Sequence, residues 1–483
     1  MKHYPKLSTT TALLALGLLA TACSPAPAAP PAATSAAQTS ATVAAVAPTA
    51  AAAAAPAATA VAQAAPTLAA AVAAAAPTVA AALGAPEPPV TLTFWHGMQG
   101  AQEATIKALV EDYKKVKPNV TINLDFTSYS QNALQQKVMG AIAANSTPDL
   151  VQGFPNDTSA WFDAGAVVPL DDYLKGSNGL TQADLEDIYP SLLKEGVFPQ
   201  YQNKQLGFPF NKSLDGVMVY NAPMLKAAGF DRFPATWAEV ETMCQKIVKP
   251  DVQCYVIQPS QSRSYIQVFA HGGEVMGGDT KTLSPQFGPG MEKWYDREKS
   301  LIEKKLAIVV RDFSWQNEFA AGKVAFSATT SAGDTFIEGL VKGAFEYGFA
   351  PMPGESAAGG MSISGTNLVV FKSTAAKQQA AWDFIKWVTQ KDQSVRWATA
   401  TGYLPVRKSA AADPAYRDFL AKKPRFNAVL EGLATAKSEP SIAAWSEVRT
   451  AMGDVENKVT SLTASPKAGA EELVTKATAA LKR

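Results

Sequence analysis

The sequence predicts an α/β fold divided between two lobes. Strand-like and helix-like segments alternate from Val90 onward, which is typical of open, mostly parallel sheets with helices on both faces. The globular part has about 390 residues, too many for one such core. After Thr374 the pattern becomes mostly helical, as in "AAWDFIKWV".

The first strands and helices follow one another without interruption. Residues 90–94 alternate apolar and polar side chains, as a half-buried strand does, and residues 106–113 have apolar side chains at helical spacing. Residues 120–126 alternate again, a helix-like segment covers 131–144, and a short apolar run follows at 150–151. We therefore expect strand, helix, strand, helix, strand.

A second series begins after residue 215. The segments "GVMVYN" and "CYVIQP" resemble strands, and the helix between them opens with Thr236 and Glu239, spaced as a capping box. Strand-like patterns continue in "KVAFSA", "YGFAP" and "TNLVVF". The series predicts a second sheet of the same kind.

The N-terminus has the features of an exported protein. Lys2 and Lys6 precede an apolar run from Leu13 to Ala22 that is too short to span a bilayer, so residues 1–22 are interpreted as a signal peptide. The next residue, Cys23, follows small residues as the lipidated cysteine of a bacterial lipoprotein does. Cleavage that discards Cys23 is the alternative.

Residues 23–89 are expected to be a disordered linker. Beyond Cys23 they are mainly alanine, proline, threonine, serine and valine, with no charge before Glu87 and no aromatic residue. A flexible chain of this length reaches roughly 45 Å. We expect the linker to tether the protein to the membrane, to which lipid alone anchors it. The alternative is that the linker is a cell-wall spacer that serves no functional partner.

Charge and cysteine usage narrow the function further. Without Lys2 and Lys6 the formal net charge falls from +1 to −1, which gives no basis for nucleic-acid binding. Cys244 and Cys254 remain in a compartment that permits disulfides, and either a bridge or two buried thiols fits the sequence.

The residues that enzymes need are scarce. The sequence has no P-loop, no G-x-S-x-G and no G-x-G-x-x-G, and only His96 and His271 follow the signal peptide. We predict no catalytic residues, no metal site and no cofactor. An exported hydrolase stays as an alternative of a different class.

Aromatic and polar residues lie together where strands are predicted to end. Trp95 and His96 end the first strand, where a cleft wall is expected in open α/β sheets, although Trp95 could equally seal the core. Asn211 and Ser213 follow in "PFNKS", and Tyr403 stands between glycine and proline in "TGYLPV".

Five motifs together resemble the extracellular solute-binding proteins of family 1, which serve bacterial ABC importers of sugars and glycerol phosphates. These are "FWHGMQG", "PFNKS", "GVMVYN", "FAAGKVAFSATTS" and "TGYLPV", within residues 90–483. The resemblance implies a periplasmic-binding-protein-like hinged clamshell whose two lobes are joined by crossing strands. We expect residues 90–212 and 329–363 in lobe 1, and 213–328 and 364–483 in lobe 2.

The resemblance also implies a ligand site that surrounds a phosphate group. Arg449 would be its central contact, because guanidinium bonds two phosphate oxygens at once; a solvated or salt-bridged arginine is the alternative. With Trp95 as a cleft wall, the predicted ligand-binding residues are Trp95, Tyr129, Ser213, Thr330, Gly365, Tyr403 and Arg449.

Two departures from the family pattern change the rest of that site. Pro155 or Asn156 stands where the family has a glutamate, with Asp157 as a displaced substitute, and Arg263 occupies a segment that should hold a stacking tryptophan. The phosphate end of the site is kept and the glycerol end is changed, which fits a glycerophosphodiester at least as well as free sn-glycerol 3-phosphate. A neutral sugar or oligosaccharide, stacked on Trp95 and Trp161, is the alternative.

The expected protein is thus an extracytoplasmic, monomeric solute-binding lipoprotein that changes lobe angle on binding and docks on the permease subunits of an ABC transporter.

Overall fold

The computed structural model describes residues 87–129, 132–270, 274–277, 284–287, 290–355 and 359–482. Cys23, the predicted signal peptide and nearly all of the predicted linker lie outside these ranges. Within them, no helix combines the length and the apolar character that crossing a membrane requires.

The strands, labelled in chain order, are β1 Val90–His96, β2 Val120–Phe126, β3 Leu150–Gly153, β4 Val197–Phe198, β5 Lys204–Gln205, β6 Phe208–Asn221, β7 Gln253–Ile257, β8 Met276–Gly277, β9 Ser284–Pro285, β10 Ala307–Val309, β11 Val324–Thr330, β12 Tyr347–Pro351, β13 Ser362–Val370 and β14 Lys437–Ser438.

The α-helices are α1 Ala101–Val116, α2 Ala133–Ala143, α3 Pro155–Asp163, α4 Asp171–Lys175, α5 Gln182–Asp187, α6 Pro190–Lys194, α7 Ala222–Ala227, α8 Trp237–Ile247, α9 Gln261–Ala270, α10 Gly290–Glu303, α11 Trp315–Ala320, α12 Asp334–Val341, α13 Ala375–Val388, α14 Lys391–Thr401, α15 Lys408–Ala411, α16 Pro414–Lys422, α17 Phe426–Leu433, α18 Trp445–Thr460 and α19 Pro466–Leu481. Short 3₁₀ turns cover Pro199–Tyr201 and Ser331–Gly333.

Two long strands connect the two lobes. The first part of β6 pairs antiparallel with β13, and its second part pairs with β11 and β12. The strands are ordered β10-β7-β11-β6-β13-β3-β1-β2, with β12 added on β6 and β14 on β13. Because β1 is parallel to β2 and β3, and β7 to β10 and β11, each lobe has the mostly parallel sheet that the alternating pattern predicts.

Helices cover both faces of each sheet. In the first lobe, Phe94 and Leu150 belong to one buried cluster, whereas Val151 belongs to the cluster on the opposite face. In the second lobe, the neighbouring residues Met218 and Val219 likewise belong to two different buried clusters, one on each face of the sheet. Strand residues alternate between faces, so this separation places two hydrophobic layers around each sheet.

The packing differs from the predicted division of the chain after residue 329. β12 pairs with the second part of β6, so it belongs to the second lobe. α13 packs with β1 and α14 packs on α1, which places residues 375–401 in the first lobe. The physical reason is the direction of β13, which starts opposite Asp215 and ends beside β3.

A disulfide joins Cys244 of α8 to Cys254 of β7. Both residues are fully buried in the core of the second lobe.

Candidate functional site

A cleft of about 610 Å³ has walls from both lobes. Gln99 and Gln102, from the start of α1, lie on the first-lobe side, and Tyr403 follows α14. Asp215 of β6 and Thr330 of β11 contribute from the second lobe. The cleft therefore lies where a small molecule would contact both lobes at once.

Most of the polar wall consists of amide and hydroxyl groups. Gln258, Ser260 and Ser262 come from the end of β7 and the start of α9, and Gln316 comes from α11. Such groups both donate and accept hydrogen bonds and carry no charge.

Two large aromatic side chains of the same cleft are exposed. Phe313 has 68% of its surface exposed and Phe336 has 56%, while Trp315, which also lines the cleft, is buried. Exposed aromatic rings at a cavity that also offers polar groups are typical of a recognition surface.

Two of the predicted ligand-binding residues line the cleft: Thr330 and Tyr403. Thr330 uses its hydroxyl to accept a hydrogen bond from the Gly333 amide at 3.1 Å. The Tyr403 hydroxyl accepts one from Gln102 Nε2 at 3.5 Å.

Trp95, Tyr129 and Ser213 have structural contacts instead. Lys137 Nζ lies 4.1 Å from the centre of the Trp95 ring, and Tyr129 donates its hydroxyl hydrogen to the Gln152 carbonyl at 3.0 Å. Ser213 is buried in β6 opposite Ser364. None of these three is among the residues that line the cleft.

Gly365 shapes the crossing of β6 and β13. Its φ is +105°, and a Cβ atom there would lie 2.1 Å from the carbonyl oxygen of Asn211. Since this backbone conformation and this distance both exclude side chains, glycine is needed for the close approach of the two strands.

Arg449 lies beside the cleft but is already paired. Its guanidinium is 3.1 Å from a carboxylate oxygen of Glu439 and donates to Ser262 Oγ at 3.3 Å. Its side chain is 18% exposed and that of Glu439 12%. The alternative of a salt-bridged arginine therefore describes Arg449, although it is mostly buried.

Two further carboxyl groups face Arg449. Burial raises the pKa of Asp157 to about 7 and that of Asp215 to about 6, while the Arg449 charge partly opposes both shifts. Arg449 thus lies among several acidic groups.

Arg263, which occupies the segment of the expected tryptophan, is buried in a charge cluster. It contacts Glu298 Oε2 at 2.6 Å and Glu456 Oε1 at 2.5 Å, and it donates to Tyr255 Oη at 2.6 Å. Burial raises the pKa of Glu456 to about 7, although the Arg263 charge opposes it. The cluster holds α9, α10 and α18 together.

Sequence reasoning missed several wall residues. Gln99 belongs to the "FWHGMQG" motif and Gln258 to "CYVIQP". Their position after predicted strands was the feature of the sequence from which a place in the cleft wall could have been inferred. Phe313 and Phe336 carried none, because a phenylalanine is usually buried. In the described part of the chain, no cluster of His, Cys, Asp and Glu is arranged to hold a metal ion.

Comparison with known proteins decides the family. Residues 108–426, more than half of the chain, match the family described as bacterial extracellular solute-binding protein. The chain belongs to this family of extracellular solute-binding proteins. As a member, it binds a small molecule for an ABC importer, and the expected resemblance is confirmed.

Relatives of this solute-binding protein include proteins named for different solutes. The maltotriose-binding protein of Pyrococcus abyssi is 24% identical over 377 residues, 75% of this chain and 77% of the relative. The sn-glycerol-3-phosphate-binding periplasmic protein UgpB of Shigella dysenteriae is 23% identical over 356 residues, 69% of this chain and 78% of the relative.

Solved structures agree on the fold. The GacH receptor of Streptomyces glaucescens, solved unliganded and with acarbose, has a TM-score of 0.71 at 23% identity, covering 82% of this chain and 99% of its own. UgpB from Mycobacterium tuberculosis, in complex with glycerophosphocholine, has a TM-score of 0.70 at 22% identity with the same coverage. The predicted two-lobed clamshell is confirmed.

Proposed function

We propose that this solute-binding protein captures a neutral saccharide in the cleft and delivers it to the permease of an ABC importer. The supporting observation is that the arginines near the cleft are already paired with carboxylates, while the cleft wall offers amides, hydroxyls and exposed aromatic rings. This choice favours the sugar alternative over a phosphorylated glycerol.

The charge distribution argues against a phosphate ligand. A phosphate dianion is bound most strongly by cationic donors whose charge is not already neutralised. Arg449 faces Glu439, Asp157 and Asp215, so the local carboxyl groups outnumber the guanidinium. A dianion placed there would be repelled by the Glu439 carboxylate that pairs with Arg449.

The wall composition suits sugar hydroxyls. Each hydroxyl donates one hydrogen bond and accepts others, which side chains such as Gln99, Gln258 and Ser260 can match. The apolar face of a sugar ring can pack on Phe313 or Phe336, both exposed at this cleft. Asp215 can accept hydrogen bonds from neighbouring hydroxyls.

A glycerophosphodiester is the second candidate, for one specific reason. Within the described residues, Arg449 Nε is buried and has no hydrogen-bond partner. That N–H could donate to a phosphodiester oxygen, whose single negative charge is repelled less strongly than a dianion.

Isothermal titration calorimetry of the purified protein with maltotriose, maltose, sn-glycerol 3-phosphate and glycerophosphocholine tests the proposal. We expect micromolar or tighter binding of a saccharide and no binding of glycerol 3-phosphate. Binding of glycerophosphocholine without any saccharide would replace the proposal by the second candidate.

The remaining parts of the proposal concern location and activity. We infer an extracytoplasmic monomer, anchored through lipid on Cys23, that binds its solute without chemical change. Metabolic labelling with a radioactive fatty acid, lost on Cys23→Ser, tests the anchor. Recovering the bound saccharide unaltered after incubation tests the absence of turnover.

A further inference from the structure

Polar side chains connect the two lobes at a place other than the cleft. Asn156 Nδ2, on α3 of the first lobe, donates to Ser446 Oγ on α18 of the second lobe at 2.6 Å. Nearby, Gln200 Nε2 donates to the Ser441 carbonyl at 2.6 Å. We call these four residues the α3–α18 contact.

Each side of the α3–α18 contact is rigidly attached to its own lobe. Trp161 of α3 is fully buried in a first-lobe cluster, while Trp445 and Met452 of α18 are fully buried in the second-lobe core. Any rotation of one lobe away from the other must therefore break these hydrogen bonds.

The contact is separate from the cleft wall. None of its four residues lines the cleft, and Asn156 is only 8% exposed. Asn156 Nδ2 also donates to Asp157 Oδ1 at 3.0 Å within the first lobe, so opening the lobes costs the bond to Ser446 until water replaces it.

We propose that the α3–α18 contact is a latch that holds the lobes together independently of the solute. It does so by biasing the equilibrium between open and closed lobes toward the closed form before any solute arrives. A solute then has to supply less of the free energy of closure. The apparent affinity rises in proportion to the fraction of solute-free protein that is already closed. Asn156 and Ser446 are thus positioning residues, which act on lobe angle and not on the solute.

The latch is tested without solute by measuring the distance between spin labels on the two lobes. Labels at Lys115→Cys and Lys323→Cys, both exposed, report on α1 and on the residue before β11 in a Cys23→Ser background. Asn156→Ala, Ser446→Ala and their combination are compared with Thr450→Ala, an exposed position on the same helix. Circular dichroism verifies that each variant is folded.

We expect the solute-free parent to show a closed population that Asn156→Ala and Ser446→Ala each reduce, with little further change in the double variant. Thr450→Ala should match the parent. Affinity for the solute should fall roughly 3- to 10-fold in the latch variants, with the order of preference among solutes unchanged. An unchanged distance distribution in both single variants, or a fully open solute-free parent, would overturn the inference.

Because the distance measurement uses no solute, its result does not depend on the proposed saccharide. If calorimetry showed glycerophosphocholine to be the solute, the latch test would keep its meaning.

Discussion

The guanidinium of Arg449 and the carboxylate of Glu439 form an ion pair at 3.1 Å, ten positions apart in the chain and mostly buried beside the cleft. This pair gives Arg449 a structural role in the second lobe. It also explains why Arg449, which was expected to bind an anion, attracts one only weakly: its positive charge is largely neutralised by Glu439.

A double-mutant cycle on this pair tests that role. Arg449→Ala removes the charged partner of the buried Glu439, which keeps the hydrogen bond from Trp445 Nε1, so we expect a loss of about 3 kcal/mol in the free energy of unfolding. Adding Glu439→Gln should restore part of the loss. Urea unfolding measures both, and strictly additive effects of the two changes would contradict the pairing.

The acidity of Asp157 predicts how closure depends on pH. It faces Arg449 of α18, Glu439 before that helix and the backbone of Phe154, and burial raises its pKa to about 7. In open lobes it would be solvated and titrate near the ordinary value of about 4. The closed form is therefore favoured when Asp157 is protonated. This advantage is complete below about pH 4 and is lost as the pH rises from about 4 to about 7.

We expect solute affinity to strengthen roughly tenfold between pH 8 and pH 6. Asp215, with its pKa raised to about 6, contributes in the same direction if closure buries it further. Titration calorimetry of Asp157→Asn should show most of this dependence removed. An unchanged pH profile in Asp157→Asn would show that this carboxyl is not the group responsible.

Substitution of Gly365 should damage the strand crossing. Alanine there would have a positive φ and a Cβ atom in contact with the Asn211 carbonyl, so we expect a loss of several kcal/mol or failure to fold. Gly339→Ala, within α12 with open space around it, is the matched control and should be neutral or stabilising by about 0.5–1 kcal/mol. Thermal unfolding distinguishes them, and equal melting temperatures would refute the packing argument.

The exposed rings should contribute directly to solute binding. We expect Phe313→Ala and Phe336→Ala each to weaken saccharide affinity about 3- to 10-fold, because a stacking interaction contributes about 0.5–1.5 kcal/mol. Leu340→Ala is the control, since Leu340 is an exposed apolar residue of α12 outside the cleft wall. Unchanged affinity in both phenylalanine variants would locate the sugar elsewhere.

Removing the disulfide should lower stability and leave binding intact. It closes a short loop between Cys244 and Cys254, so we expect the double alanine variant to lose about 2–4 kcal/mol. Urea unfolding with and without reductant measures this, with reductant affecting only the parent. Two reactive thiols in the oxidised, denatured parent would contradict the bridge.

Local patterns predicted the local structure well. The capping box of Thr236 and Glu239 begins α8, with both reciprocal hydrogen bonds present, and the segment 131–144 contains α2. These features depend on neighbouring residues, so spacing along the chain is enough to identify them.

Contacts between residues that are distant in the chain could not be predicted from local sequence patterns. Arg263 and Glu456 are far apart in sequence and meet only because α9 packs against α18. The lobe assignment after residue 329 required the pairing of β12 with β6 and the direction of β13, which periodicity does not contain. Of the seven predicted ligand-binding residues, Thr330 and Tyr403 line the cleft, whereas the charge balance around Arg449 needed the fold.

Because β6 and β13 exchange the chain between lobes, neither half of the clamshell is a continuous stretch of polypeptide. The core of the first lobe includes Trp382 and Trp397, so it cannot be completed until most of the polypeptide has been exported. During export, Phe94 and its apolar neighbours remain without their packing partners until those tryptophans have emerged. A nascent chain of this protein should accordingly depend on holding chaperones until its last quarter emerges.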